Sequence, residues 1–129
     1  MPLTLSTFNC RGLQDHVKRR KVFHYLRSIK SDIIFLQETH SSADNEKFWK
    51  NQWGEHAWFS SHSSNSKGVA ILIRNSVQLV FHSLFSDPNG RFLIISLSIN
   101  GLALGLVNIY APNNDDPDLF LETFGKRPI

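Results

Sequence analysis

The stretch Ile33-Ile34-Phe35-Leu36 constrains this chain more than any other. It is an uninterrupted apolar run of strand length, flanked by Ser31-Asp32 and by Gln37-Glu38-Thr39-His40. Such a run reads as a strand buried on both faces, as in a sheet covered by other layers. The segment before it, Asp15 to Lys30, places Val17, Val22, Phe23, Leu26 and Ile29 on one helical stripe, with Asp15 positioned to cap the start. Before that, Leu3, Leu5 and Thr7 alternate with Thr4, Ser6 and Phe8, a short first strand that ends in Asn9-Cys10-Arg11-Gly12. Strand, helix and strand joined by short links predict a right-handed parallel crossover.

The rest of the chain reads as follows. Ser41 to Gln52 is a short helix with Phe48 and Trp49 inward, and Trp53, Trp58 and Phe59 add bulk. Residues 60–67 are a polar, aperiodic, mobile surface loop. Strands are expected over Gly68–Ile73, Val77–His82, Arg91–Ile99 and Leu102–Ile109. Asp87-Pro88-Asn89-Gly90 is a turn, and Asn100-Gly101 is a strong hairpin signal. Asp118 to Phe124 opens a further helix, with Asp115 and Asp116 near its positive end. The class is therefore mixed α/β (α+β), with a mostly antiparallel sheet and flanking helices.

Composition narrows the function classes. A length of 129 residues suits one domain or a piece of one. A single cysteine, Cys10, excludes an intramolecular disulfide and a cysteine-based zinc site, and reads as a small buried hydrophobe. No apolar run reaches the roughly 20 residues of a membrane helix, and the N-terminus lacks a secretory pattern. A reducing compartment, nucleus or cytoplasm, is expected. A net charge of +3 permits nucleic-acid binding without indicating it.

Three polar groups stand at the ends of expected strands: Asn9, Glu38 and Tyr110. A carboxylate at the end of an apolar strand is costly unless solvated, paired or bound to metal. Glu38 either ligates a hard cation such as Mg²⁺ or merely marks where the strand reaches water.

The same residues resemble a known family. Thr7-Phe8-Asn9-Cys10-Arg11-Gly12-Leu13, Ile34-Phe35-Leu36-Gln37-Glu38-Thr39-His40, Lys67-Gly68-Val69-Ala70-Ile71-Leu72-Ile73 and Val107-Asn108-Ile109-Tyr110-Ala111-Pro112-Asn113 resemble, in order, four motifs of the endonuclease/exonuclease/phosphatase superfamily. The flavour is that of the exonuclease III and apurinic/apyrimidinic endonuclease branch, most like LINE-type retrotransposon endonuclease domains. The resemblance implies the N-terminal half of a four-layer, DNase I-like α/β sandwich, with one partial domain over residues 1–125 and a tail at 126–129. It implies Mg²⁺-dependent hydrolysis of DNA phosphodiesters, with Mn²⁺ as the alternative ion and no small-molecule cofactor. Glu38 would ligate the metal, and Asn9 would orient the metal shell and the phosphate. Tyr110 would position the phosphate or the water, and Asn113 would contact the nucleic-acid backbone.

The later motifs of that family, which carry two aspartates and a terminal Asp-His pair, have no counterpart here; the last histidine is His82. Two further readings therefore stand beside the nuclease. One is an inactive module that binds nucleic acid or protein, and the other is a same-fold phosphatase acting on inositol phosphates or phospholipids. The first sheet, cut from its partner, is expected to expose an apolar face, leaving the chain marginal or dependent on a C-terminal half or another partner. Lys18 to Lys21 read as a solvated helix face, and Trp49, Trp53 and Trp58 as core or core edge. His40 reads as a surface loop residue. Asp115, Asp116, Asp118 and Glu122 read as first-turn acids.

Overall fold

The computed structural model describes residues 2–111. The elements run β1 (Leu5–Asn9), α1 (His16–Ser28), β2 (Ile33–Gln37), α2 (Glu46–Trp53), β3 (His56–Ser60), β4 (Val69–Ile73), β5 (Leu79–Ser86), β6 (Phe92–Ile99) and β7 (Leu102–Ile109). The expected helix at Asp118–Phe124, its acids, Asn113 and the 126–129 tail lie outside the described residues.

The crossover forms as the pattern predicts. β1 pairs with β2 in parallel, Leu5 opposite Ile33 through Asn9 opposite Gln37. Asp15 caps α1 by accepting a hydrogen bond from the Val17 amide. The β1-β2-β4-β3 sheet is completed by antiparallel pairing of β4 with β2 and with β3. Alternation sorts its side chains. Ile34, Leu36, Ala57, Phe59, Ala70 and Leu72 face α1 and α2, where they pack on Phe23, Leu26, Trp49 and Trp53. Burying each such large side chain contributes about 1.5–3 kcal/mol.

The other strands do not join that sheet. β4 already has β2 and β3 as neighbours, so no place beside it remains. β5, β6 and β7 instead form a second, antiparallel sheet. The inward row Leu93, Ile95, Leu97 and Ile99 of β6 packs on Ile33, Val69, Ile71 and Ile73 of the first sheet. Three consecutive layers result: helices, sheet, sheet. This corrects the expectation of one sheet left bare, because the second sheet covers that face. The second sheet exposes apolar side chains of its own, with Val80, Phe81, Leu84, Phe85, Leu102 and Val107 meeting solvent.

Local expectations are corrected in four places. β3 forms where only bulk was foreseen. Phe48 is 57% exposed, whereas Trp49 and Trp53 are buried as expected, so of the predicted inward face of α2 only Phe48 departs. Ser60 and Ser61 are buried, so the polar segment is not wholly surface. Arg19 is only 4% exposed. It donates to the Leu13 carbonyl and Gln52 Oε1 and lies over the rings of Phe48 and Trp49, so the basic run is not uniformly solvated. Among the described residues no helix is long and apolar enough to cross a membrane.

Candidate active site

The parallel register of β1 and β2 brings Asn9 and Glu38 together. Asn9 ends β1 opposite Gln37, and Glu38 is the next residue. Pairing continues past the strands, with the Cys10 amide donating to the Gln37 carbonyl, Gly12 to Glu38 and Leu13 to Thr39. Asn9 Nδ2 donates to Glu38 Oε2 at 2.5 Å, while Asn9 Oδ1 accepts from the Arg11 amide at 3.0 Å. Asn9 is thereby fixed at both ends of its amide and holds the Glu38 carboxylate in place. Asn9 is exposed and Glu38 half-buried, so the carboxylate keeps access to solvent.

Tyr110 follows β7, and its amide donates to the Arg91 carbonyl. It reaches the same end of the sandwich through Asn108, two residues before it. Asn108, 4% exposed, donates to the Leu36 and Ala70 carbonyls and accepts from Gln37 Nε2. Gln37 Oε1 accepts in turn from Thr7 Oγ1. Both the nitrogen and the oxygen of the Asn108 amide have partners, so it bolts β7 across β2 and β4. Sequence reading passed over Asn108 and Gln37; the available signal was a polar residue inside an apolar strand.

The same end holds several backbones in the left-handed region. Arg11, Glu38, His40 and Lys67 have φ between 50° and 60°, a conformation that costs an L-residue about 1 kcal/mol or more. Gly68, at φ 89°, could not carry a Cβ, which would meet Thr39 Oγ1 at 2.3 Å. Thr39, Ser41 and Ser61 form a buried hydroxyl chain beneath this loop. Burial pushes the Glu46 carboxyl at its far side above the ordinary carboxylate range, opposed by a hydrogen bond from Ser61. His40 is a half-buried loop residue packed over Gly12, with its Nδ1 buried and without a partner. Cys10 is buried as expected, and burial pushes its thiol up to about 12.

Comparison with known proteins now bears on these motifs. Residues 6–123 match the Endonuclease/Exonuclease/phosphatase family. The chain belongs to that family. The Xenopus laevis "Transposon TX1 uncharacterized 149 kDa protein" is 32% identical over 112 residues, which is 87% of this chain and 9% of that protein. The endonuclease domain of TRAS1, a telomere-specific non-LTR retrotransposon, shares the fold at 12% identity and a TM-score of 0.59, over 94% of this chain and 50% of that one. An AP endonuclease from Archaeoglobus fulgidus is 25% identical with a TM-score of 0.60, over 91% of this chain and 44% of that one. The chain thus spans about half the length of these solved family structures. Its layers are those of a DNase I-like endonuclease/exonuclease/phosphatase fold.

Nucleases of this family generally use divalent metal ions, and the donor set here can be tested for that. A carboxylate braced by an amide, open to solvent, fits a hard cation that keeps most of its water shell, as Mg²⁺ does. Asn9 Oδ1 has a second lone pair beyond the one used by Arg11. Among the described residues no group of three or more His, Cys, Asp and Glu side chains gathers as an all-protein metal cage.

Proposed function

We propose that this chain provides the Glu38 part of a divalent-metal-dependent phosphodiesterase site acting on DNA, of the retrotransposon or apurinic/apyrimidinic endonuclease type. The Asn9–Glu38 contact at the joined ends of β1 and β2 carries the reading. The transposon relative and the nuclease structures support DNA over inositol phosphates or phospholipids as substrate. In this proposal Glu38 holds the cation, Mg²⁺ or Mn²⁺, and Asn9 keeps the carboxylate aimed. When bound, such a cation neutralises charge on phosphoryl oxygens. Tyr110, set by the Asn108 bolt at the same end, orients the phosphate or the attacking water. Asn113, in the same motif, is assigned to the nucleic-acid backbone.

The deciding experiment is nicking of supercoiled plasmid with Mg²⁺ by the chain, beside Glu38→Ala and a chelator control. Nicking lost in both controls supports the reading. Nicking that survives Glu38→Ala overturns it. One observation favours a second reading for the chain by itself, that of a non-catalytic binding module: among the described residues no group of three or more His, Cys, Asp and Glu side chains gathers as a metal site. Mg²⁺-independent DNA binding without nicking by the isolated chain would support that alternative.

A further inference from the structure

α1 carries five Lys and Arg residues, two His and no acid between His16 and Ser28. Two of the cations are committed. Arg19 is turned inward, and Lys18 Nζ donates to the Arg11 carbonyl. The remaining ones, Arg20, Lys21 and Arg27, line with His24 a shallow groove of about 330 Å³ on the outer face of the helical layer. Arg27 is held there, donating to the Trp53 carbonyl and lying over the Trp53 ring at 5.6 Å. Among the described residues the ion pair found is Arg91–Asp87, far along the chain from this helix. An ordinary solvated helix intersperses signs at i,i+4, whereas like charges at that spacing repel.

We propose that this face of α1 is a second, non-catalytic contact for the sugar-phosphate backbone of duplex DNA. The groove is charged and, the His24 imidazole apart, is lined by no aromatic ring, so its three cations favour contact with phosphates over base readout. Arg20 to Arg27 span about 10 Å of helix at about 1.5 Å per residue. Phosphates of one strand rise by about 3.4 Å per nucleotide along the duplex axis and lie farther apart than that through space, so a groove of this length meets roughly two of them. The inference rests on DNA as the substrate but on no part of the cleavage chemistry.

The test is titration of a labelled duplex of ~20 base pairs in chelator, across a series of salt concentrations, with the full chain. The compared variants are Arg20→Gln/Lys21→Gln/His24→Gln and, as a charge-matched control on α2, Lys47→Gln/Lys50→Gln. All five positions are exposed, and unchanged melting checks folding. The expected result is roughly tenfold weaker binding at low salt and a salt slope smaller by about 2 for the α1 variant only. Equal losses in the α2 control, or none in the α1 variant, overturn the inference while leaving DNA as the substrate. No duplex binding by the unaltered chain overturns both. Displacement of the duplex by poly-glutamate at equal charge assigns the face to an acidic protein instead and overturns the proposal.

Discussion

Gln37 and Asn108 meet across the gap between the two sheets, Gln37 Nε2 donating to Asn108 Oδ1 at 3.0 Å. Gln37 immediately precedes Glu38, and Asn108 lies two residues before Tyr110. A single buried amide pair thus sets the site carboxylate and the tyrosine in one frame, although 72 positions separate Leu36 from Asn108.

Replacing Asn108 with Leu keeps a similar size but leaves Gln37 Nε2 with only its longer contact to the Phe35 carbonyl and removes the donors to Leu36 and Ala70. The expected loss is about 2–4 kcal/mol of stability. Denaturant unfolding checks it; a change below about 0.5 kcal/mol would show that the bolt is dispensable.

Asn9→Ala should act on the site and not on the fold. Asn9 is exposed, so stability is expected to stay within about 0.5 kcal/mol. Where nicking is measurable, kcat/KM is expected to fall about 10–100-fold and to recover partly with added Mg²⁺, as for partners that orient a metal ligand. Loss that no metal concentration relieves would count against that role.

Acid should loosen the β5–β6 turn. Burial pushes the Asp87 carboxyl up, but hydrogen bonds from Arg91 and Asn89 and the Arg91 charge outweigh it, leaving Asp87 below its ordinary value. Asp32 is also lowered, by the Thr4 amide and hydroxyl. A depressed folded pKa gives stability that is full above the unfolded value of about 3.9 and is lost as pH falls through the lower, folded value. Unfolding midpoints should therefore drop below about pH 4. Asp87→Asn should flatten that drop and cost about 1–3 kcal/mol at neutral pH.

Cys10 should be chemically silent. With its thiol pushed up to about 12, the thiolate is scarce at pH 8. Alkylation in native buffer is expected to be at least about a thousandfold slower than for a free thiol. Rapid native labelling would show that the β1 end opens readily.

Legibility in the sequence followed the range of the interaction. β1, α1, β2, β4, β6 and the Asn100-Gly101 hairpin depend on neighbours a few residues away, and their patterns were read directly. Asn100 and Gly101 both take positive φ, as that turn requires. The division into two sheets depends on β4 having both its edges filled, which no local pattern records. β3 was missed because Ala57, Trp58 and Phe59 are three apolar residues in a row, which hides in the sequence the alternation of half-buried and buried positions that His56 to Phe59 adopt. Arg19 was misread because charge predicts solvent, while here two aromatic rings and a carbonyl accept the guanidinium. Asn9 and Glu38 were each visible as strand ends; their contact needed the parallel register.

The left-handed backbones divide into two kinds. Lys30, at φ 57° just after α1, and Lys67 hold positions where glycine would relieve the backbone by about 0.5–1 kcal/mol. Glu38, at φ 52°, sits in the same region but cannot become glycine without losing its carboxylate. A population evolved in the laboratory for heat resistance alone should drift toward glycine at all three. One evolved for cutting should do so at Lys30 and Lys67 and keep the acid at Glu38, so the two lineages part at a single codon.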